Sequence, residues 1–297
     1  MAYSSSVESS NETVETVLER AVQELTRTKV ESPHLTAQLL LGHVMGWNRV
    51  RVLSDAKSPL SEIRIKHFQT LLQRRAAGEP LQYITGEREF YGISFRVTPA
   101  VLIPRPETEI LVEEAVRIAR KRKQQTALRF VDIGTGSGCI AVSVARELPS
   151  ASGWAIDISP EALQIARLNA ERHEVRDRIQ FICGNFLECF PVRPSFDFVF
   201  SNPPYVSQVD MSTLSSMVSE HEPHQALCSG ETGLESFRQV VPAAAIRLLP
   251  SGYLIMEVGK GQSREVARLI EREGLLLEGI LDDLQGIPRC VVAMKPN

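Results

Sequence analysis

The chain has 297 residues, of which 43% are hydrophobic and 23% charged, and a formal net charge of −3. This length accommodates one large or two ordinary domains with a sizeable core, and the slightly acidic balance argues against an extended contact with a nucleic-acid duplex. The five cysteines are scattered without a C-x-x-C pair, which indicates unpaired thiols in a reducing compartment and disfavours a zinc site.

The beginning of the chain favours a cytoplasmic protein. It has no apolar segment of the signal-peptide type, and its first basic residue is Arg20, so secretory and transit peptides are both disfavoured. No apolar stretch approaches the roughly 18 residues that a membrane span requires. We therefore expect a protein without a membrane partner.

Composition and periodicity divide the chain into four regions. Residues 1–10 are rich in serine and are expected to be disordered. Apolar positions at helical spacing predict a small all-helical domain at 11–86. Residues 87–106 predict a hairpin and a proline-rich linker. The last region, 107–297, begins with a helix that closes in four basic residues, which we interpret as a solvated helix end rather than an RNA-binding patch.

Strands and helices alternate from Leu128 onward, which predicts an α/β fold with a doubly wound, mostly parallel sheet. The two C-terminal runs, joined by a short Gly/Pro loop, read as an antiparallel pair. The predicted strands are 128–133, 153–157, 178–182, 196–201, 252–258, 275–281 and 289–294.

A glycine-rich loop follows the first predicted strand of this sheet. Gly134, Gly136 and Gly138 have the spacing G-x-G-x-G, which lets the backbone turn tightly and approach a ligand, and which differs from the dinucleotide fingerprint G-x-G-x-x-G. The next strand ends in Asp157, and a carboxylate there can accept both hydroxyl groups of a ribose. Together they favour an adenosine-containing cofactor over a structural turn. After the third strand, Asn185 could present a polar group and Phe186 a ring to adenine, although Phe186 alone could equally belong to the core.

The fourth strand ends in the tetrad Asn202-Pro203-Pro204-Tyr205. Strand ends of a parallel sheet are where ligands bind, and the prolines would hold two acceptors rigidly, namely the carboxamide oxygen of Asn202 and the carbonyl of Pro203. These acceptors suit the two hydrogens of a planar –NH2 group, with the Tyr205 ring packed against it. Binding both hydrogens would direct the nitrogen lone pair toward an electrophile such as a sulfonium methyl group.

Assembled, these motifs resemble the class I S-adenosylmethionine-dependent methyltransferases and, more closely, the HemK/PrmC family, the peptide chain release factor glutamine methyltransferases. The stretches that carry the resemblance include "VLIPRPETE", "VDIGTGSGCIAV", "AIDIS", "FSNPPYV" and "EPHQALCSGETGLESFR". The tetrad is shared with many amino-methyltransferases, whereas its combination with "IPRPETE" is specific. The resemblance implies a Rossmann-like fold with a seven-stranded sheet, one antiparallel C-terminal strand and a helical N-terminal domain.

The resemblance also implies a reaction. S-adenosyl-L-methionine would donate a methyl group by direct in-line transfer to the glutamine amide of the Gly-Gly-Gln loop of class 1 release factors, leaving S-adenosyl-L-homocysteine, and the N-terminal domain of a monomeric enzyme would help to grip the factor. The implied catalytic and substrate-binding residues are Asn202, Pro203, Pro204 and Tyr205. The implied cofactor-binding residues are Asp132, Gly134, Thr135, Gly136, Ser137, Gly138, Asp157, Ile158, Asn185, Phe186 and Asn202. This chain has Asn185 where the family often has an acidic residue, and Phe186 where tryptophan is common.

Other readings stay open at this point. A sister enzyme methylates a glutamine of a large-subunit ribosomal protein, but its linker typically reads "PRSP" where this chain has Pro104-Arg105-Pro106-Glu107. A nucleic-acid amine methyltransferase would recognise a similar –NH2 group but needs a basic surface. A non-catalytic cofactor-binding protein would be expected to carry a damaged loop or tetrad.

Three further features receive sequence-based interpretations. His221 and His224 with Glu222 between them could suggest a metal pair, but we interpret them as surface loop residues because no third ligand is near. The segment 206–235 is interpreted as a flexible substrate lid. Glu107 and Glu109 match the family motif and predict a helix start with favourable dipole placement.

Overall fold

The computed structural model describes residues 12–122 and 127–297. The chain divides into two compact units, with the boundary after Gly86. The segment predicted to be disordered, 1–10, and the last residue of the basic run, Lys123, lie outside the described residues.

The N-terminal unit is helical, as predicted. Its first helix starts at a capping box in which the Thr13 side chain accepts a hydrogen bond from the Thr16 backbone and the Thr16 hydroxyl oxygen accepts one from Thr13. Buried apolar side chains, Phe68 and Leu40 among them, form its core. The helices are α1 (Val14–Arg27), α2 (Pro33–Met45), α3 (Arg49–Ser54), α4 (Glu62–Ala76) and α5 (Leu81–Thr85).

A hairpin opens the second unit. Strands β1 (Glu87–Phe90) and β2 (Ile93–Arg96) pair in antiparallel fashion. The two turn residues, Tyr91 and Gly92, both have positive φ angles of 50° and 71°, as a two-residue hairpin turn with the twist of the strands requires. Phe90 and Phe95 are buried in the core of this unit, so the hairpin is packed onto the sheet that follows.

Seven strands form the central sheet: β3 (Arg129–Ile133), β4 (Ser152–Asp157), β5 (Ile179–Cys183), β6 (Phe196–Ser201), β7 (Leu248–Glu257), β8 (Leu276–Asp282) and β9 (Pro288–Met294). Their spatial order is β5-β4-β3-β6-β7-β9-β8. The pairs from β5 to β7 are parallel, while β9 is antiparallel to both of its neighbours. The predicted fold class, with its antiparallel C-terminal strand, is confirmed.

Helices cover the sheet on both faces, which explains the nearly continuous apolar strands. The helices of this unit are α6 (Glu109–Lys121), α7 (Cys139–Glu147), α8 (Pro160–Arg172), α9 (Ser216–His221), α10 (His224–Leu227), α11 (Glu235–Arg247) and α12 (Ser263–Arg272). Across the described ranges 12–122 and 127–297, no helix combines the length and the hydrophobicity that crossing a membrane would take.

Two local predictions differ from the structure. Strand β7 begins at Leu248 rather than at 252, because a register shift between Phe196 and Phe198 of β6 and a left-handed Ser251 (φ 57°) accommodate residues that read as a turn. The basic helix end is not simply solvated either. Arg122 forms an ion pair with Asp197 at 2.8 Å and lies over the ring of Phe198.

The order of the strands fixes the position of a crevice. Strand β3 lies between β4, which follows it in the chain, and β6, so the connections leave β3 toward opposite edges of the sheet. At such a point the loops at the carboxyl ends of the strands diverge and leave room for a ligand. The glycine-rich loop follows β3, and the tetrad follows β6.

Asn169 of α8 ties the hairpin to the glycine-rich loop. Its side chain is fully buried. Its Oδ1 accepts a hydrogen bond from the Arg96 backbone N–H at 2.7 Å, and its Nδ2 donates to the carbonyls of Arg96 (3.0 Å) and Ser137 (2.8 Å). One side chain therefore satisfies the buried Ser137 carbonyl and two partly buried backbone groups of Arg96, from two segments that are distant in the chain.

We expect Asn169→Ala to lower the free energy of unfolding by about 3 kcal/mol, because it removes three hydrogen bonds and leaves the buried Ser137 carbonyl without this partner. Urea denaturation of the whole protein measures this loss. Gln164→Ala, an exposed position on the same helix, is the matched control and should change stability little. Equal stability of the two variants would contradict the bridging role.

Candidate active site

A cavity of about 290 Å³ lies at the carboxyl ends of β3, β4, β5 and β6. Its size is close to the lower end of the range for small-molecule sites. It brings together most of the residues singled out in the sequence. Those that line it are Gly134, Thr135, Gly136, Ser137, Asp157, Ile158, Asn185, Phe186, Asn202, Pro203 and Pro204. Three of the singled-out residues, Asp132, Gly138 and Tyr205, lie behind its wall.

The glycine-rich loop forms an open cradle. Gly134 and Gly136 have φ angles of +70° and +54°, and a Cβ atom added to either would meet nothing within 4 Å. The free space therefore reaches the backbone itself, and only glycine leaves it open at these angles. Both Gly134 and Thr135 donate backbone hydrogen bonds to the carbonyl of Ile156 at 2.9 Å, which holds the loop over the end of β4.

Asp132 fixes this loop from below. It is buried, and its Oδ2 accepts hydrogen bonds from the hydroxyl of Thr135 at 2.6 Å and from the backbone N–H of Ala141 at 3.2 Å. Burial raises the pKa of this carboxyl to about 7. Gly138, where α7 begins, packs closely on α8, since a Cβ there would lie 3.1 Å from that of Ala166. Asp132 and Gly138 thus shape the loop without lining the cavity.

Asp157 ends β4 and presents its carboxylate to the cavity. Its Oδ2 accepts the backbone N–H of Gly136 at 2.8 Å, and its Oδ1 accepts that of Ser159 at 3.0 Å. Burial raises the pKa of this carboxyl, and the backbone hydrogen bonds act in the opposite direction. Each oxygen keeps a second acceptor site, so the group is oriented to receive hydroxyl donors.

An apolar slot lies beside this carboxylate. Ile158 is 59% exposed although it is apolar, and it lines the cavity together with Phe186. Phe186 has a left-handed backbone with φ 46°. Asn185 donates through Nδ2 to Glu188 Oε1 at 2.9 Å. Aliphatic and aromatic side chains at the mouth of a polar cradle suit a flat heterocycle.

The tetrad supplies rigid acceptors on the opposite wall. Asn202 Nδ2 donates to the hydroxyl oxygen of Thr108 at 3.1 Å, so its Oδ1 remains as the acceptor of this carboxamide. Pro203 and Pro204 line the cavity directly after β6, whose last residue, Ser201, donates its hydroxyl to the carbonyl of Ile133 at 3.0 Å. Hydrogen bonds therefore anchor the start of the tetrad on two sides, to β3 through Ser201 and to the segment before α6 through Asn202.

Tyr205 takes a position that differs from the prediction. Its ring does not line the cavity, and its hydroxyl donates to Glu257 Oε1 at 3.4 Å. Its carbonyl accepts a hydrogen bond from Gln262 Nε2 at 2.9 Å, and the ring lies against Gly259. Burial raises the pKa of this phenol. Tyr205 supports the tetrad from behind in this structure instead of forming the wall.

Two segments outside the glycine-rich loop and the tetrad close the cavity. Residues before α6, including Arg105 and Thr108, form one part of the wall, and residues of the 206–235 segment, including Gln225 and Cys228, form another. Arg105 joins the two through an ion pair with the buried Glu222 at 2.7 Å. The stretch "IPRPETE" matched the family motif and so pointed to the first segment, but the sequence assigned no catalytic or binding role to its residues.

The histidine pair and Glu109, which the sequence did not place in the cofactor or substrate site, lie in or beside the two closing segments. His221 ends α9 and His224 begins α10, so both belong to short helices rather than to a loop, and Glu222 between them is buried. In the parts of the chain that the structure describes, no three metal-binding side chains cluster together. Glu109 Oε1 accepts the backbone N–H of Tyr91 at 3.0 Å and so fastens α6 to the hairpin.

Comparison with known proteins covers both units. The family model of the PrmC N-terminal domain matches residues 16–86, and that of the methyltransferase small domain matches residues 108–230. A release factor glutamine methyltransferase of Bradyrhizobium diazoefficiens is 38% identical over 96% of this chain and 95% of its own length. A protein of the same name from Nitratidesulfovibrio vulgaris is 40% identical over 96% of each chain.

A solved structure resembles the chain in fold. The crystal structure of a methyltransferase from Pyrococcus furiosus superposes with a TM-score of 0.51 and 16% sequence identity. The match covers 77% of this chain and 98% of that one. At this identity the similarity supports the fold assignment alone.

The raised pKa of Asp132 has a consequence for stability. The folded state holds the proton up to about pH 7, against 3.8 for the free side chain. This carboxyl therefore favours folding below its ordinary pKa, and the contribution is lost as the pH rises through about 7. We expect Asp132→Asn, which cannot ionise, to gain on the order of 2 kcal/mol relative to wild type between about pH 5 and pH 8.

Denaturant unfolding at the two pH values measures this difference. Asp177→Asn, an exposed aspartate of the same unit, controls for the loss of one carboxylate in general. A variant whose stability parallels that of wild type at both pH values would show that Asp132 is not protonated in the fold.

Proposed function

Because the chain belongs to the family of release factor glutamine methyltransferases, we propose that it transfers a methyl group from S-adenosyl-L-methionine to the side-chain amide nitrogen of the glutamine in the Gly-Gly-Gln motif of class 1 release factors. The family resemblance predicted from the sequence is confirmed by relatives that match over nearly the whole chain. Their names supply the substrate class for this proposal.

One observation carries the proposal, namely that the glycine cradle and the first three residues of the tetrad line one cavity. Asn202 Oδ1 and the Pro203 carbonyl are acceptors set in a rigid Asn-Pro-Pro frame. An amide nitrogen is a poor nucleophile because its lone pair is delocalised into the carbonyl. Two acceptors that take its hydrogens would direct the lone pair toward the electrophilic methyl group and stabilise the positive charge that develops on nitrogen. The frame holds these acceptors in place before the substrate arrives.

The residues opposite the tetrad fit S-adenosyl-L-methionine. This cofactor supplies an electrophilic methyl group on a sulfonium ion. The open backbone at Gly134 and Gly136 would admit its methionine portion, and the oriented carboxylate of Asp157 would accept the ribose hydroxyls. Ile158 and Phe186 would enclose the adenine, with Asn185 beside them. The fit rests on the cradle, where the space beside Gly134 and Gly136 is open because no Cβ projects into it.

The N-terminal unit is our candidate for gripping the protein substrate. Its helices α2 and α3 expose large apolar side chains, among them Leu35 and Leu39 at an i, i+4 spacing and Val50. We propose that residues 11–86 recognise the release factor, that 107–297 form the catalytic domain, and that 87–106 connect them. The substrate belongs to translation, so the enzyme is proposed to act in the cytoplasm, as a monomer without nucleic acid or membrane.

The proposal is tested on a release factor purified from cells that lack the corresponding methyltransferase. After incubation with this protein and S-adenosyl-L-methionine, peptide mass spectrometry should locate one added methyl group on the Gly-Gly-Gln glutamine. Transfer to a large-subunit ribosomal protein or to nucleic acid, with none to the release factor, would keep the chemistry and overturn the substrate.

We expect Asn202→Ala to reduce kcat strongly and to leave cofactor affinity within a few-fold of wild type. Loss of one hydrogen-bond partner of the transition state costs on the order of 2–4 kcal/mol. Steady-state assays at saturating cofactor measure kcat, and calorimetric titration measures affinity. Gln164→Ala, exposed on α8, is the control. Near-normal turnover of the Asn202 variant would remove this residue from the mechanism.

Asp157→Ala should have the opposite profile. It removes two oriented acceptors from the cradle, so the affinity for S-adenosyl-L-homocysteine is expected to fall by about 10-fold to 100-fold. Calorimetry with this product needs no protein substrate and reports on the cofactor site alone. An unchanged dissociation constant would refute the ribose assignment.

A further inference from the structure

We infer that Thr108 and Glu257 are positioning residues that dictate which atom of the Asn202 carboxamide faces the substrate. The inference rests on the proposed function, because it assigns the two residues a role in holding the amide acceptor of the same reaction. Neither residue belongs to the glycine-rich loop or to the tetrad.

The three side chains form a continuous hydrogen-bonded chain. Thr108 Oγ1 donates to Glu257 Oε2 at 2.5 Å, and Asn202 Nδ2 donates to Thr108 Oγ1 at 3.1 Å. Thr108 and Glu257 are buried, with about 2% of each exposed. They come from different elements, Thr108 from the 3-10 turn before α6 and Glu257 from the last position of β7. We call Asn202, Thr108 and Glu257 the relay.

Counting hydrogens gives the relay a direction. An ionised carboxylate can only accept, so the single hydroxyl hydrogen of Thr108 must point to Glu257. The Thr108 oxygen is then left as an acceptor, and the only donor on the Asn202 carboxamide is its NH2 group. Asn202 is therefore held with Nδ2 toward Thr108 and Oδ1 free to accept. A substrate –NH2 group offers only donors, so this is the orientation that binds it.

Protonation of Glu257 would release this constraint. A protonated carboxyl can donate to Thr108, whose own hydrogen is then free to point to Asn202. The Asn202 carboxamide could then rotate, so that its oxygen accepts the Thr108 hydrogen and its NH2 group faces the substrate. The substrate –NH2 group is also a donor, so two donor groups would face each other. The substrate would lose Asn202 Oδ1 as a hydrogen-bond acceptor and would be repelled by the Asn202 NH2 group.

The surroundings of Glu257 make this change accessible near neutral pH. Burial raises the pKa of Glu257 to about 7, and the negative Glu107 acts in the same direction, while the hydrogen bonds from Thr108 and Tyr205 and the positive Arg289 oppose it. Arg289 itself is engaged by Asp283 at 3.1 Å. The thiols of Cys139 and Cys290 also lie within the field of Glu257.

Two substitutions at Thr108 separate positioning from packing. Thr108→Val keeps the shape and removes the hydroxyl, and we expect kcat to fall by about 10-fold to 100-fold, as for other residues that orient a reacting group. Thr108→Ser keeps the hydroxyl and should restore most of the rate. The affinity for S-adenosyl-L-homocysteine should change less than about twofold in both variants, because Thr108 is hydrogen-bonded to Glu257 and Asn202 and not to the glycine-rich loop or Asp157. Equal rates for the two variants would overturn the inference.

The pH profile provides a readout that a merely structural role would not move. In wild type, kcat should rise as the pH increases through about 7, because the relay requires the ionised carboxylate. Glu257→Gln cannot ionise, so its pH profile should lose this limb. Glu114→Gln, another buried carboxylate of the same unit that does not line the cavity, should keep the wild-type profile. A limb that persists in Glu257→Gln would overturn the inference.

Infrared titration distinguishes failure of the relay from failure of the proposed function. The carboxyl C=O band that Glu257→Gln abolishes should disappear as the pH of substrate-free wild type rises through about 7. If this band titrates but no methyl group reaches the release factor, the proposed function has failed and the relay stands. If methyl transfer occurs but Glu257 stays protonated up to about pH 9, the relay is wrong.

Discussion

Burial of carboxylates at the ends of parallel strands is the constraint on which this site depends. Asp132, Asp157 and Glu257 lie at or next to the last positions of β3, β4 and β7, and burial raises the pKa of each. A buried carboxylate must be satisfied by donors. Here those donors come from the glycine loop, the start of α8 and the segment before α6. The strands thereby fix the loops that form the cavity.

The cost of this arrangement falls on stability and its benefit on chemistry. Carboxylates that ionise in the interior oppose folding as the pH rises. In return, the loop that forms the proposed cofactor cradle and the carboxamide of Asn202 are held in position before any ligand binds. Groups positioned in advance need no reorganisation during the reaction, and this raises the rate. Asn169 serves the same purpose without a charge, since it joins the hairpin to the carbonyl of Ser137 in the glycine loop.

The parts of the site that could be predicted from the sequence are those encoded locally. A strand, its terminal carboxylate or tetrad and the following turn are contiguous, so Gly134, Asp157 and Asn202 were identified together with their strands. The contact that joins the two closing segments could not be predicted, because Arg105 and Glu222 meet only in the folded chain. Glu257 ends an apolar strand as Asp157 does, so a terminal carboxylate was visible in the sequence, but no glycine-rich loop or tetrad beside it pointed to a site. The ring of Tyr205 lies behind the wall in this structure, beside Gly259, because side-chain direction after two prolines depends on tertiary packing.

The most direct measurement is a neutron structure of the enzyme with S-adenosyl-L-homocysteine and a peptide that contains Gly-Gly-Gln, because it locates the hydrogens on which the account depends. We expect the glutamine –NH2 group to donate to Asn202 Oδ1 and to the Pro203 carbonyl, with Asn202 Nδ2 donating to Thr108 and the Thr108 hydrogen directed to Glu257. A glutamine nitrogen bound away from the tetrad, or an Asn202 carboxamide with its NH2 group toward the substrate, would contradict the account.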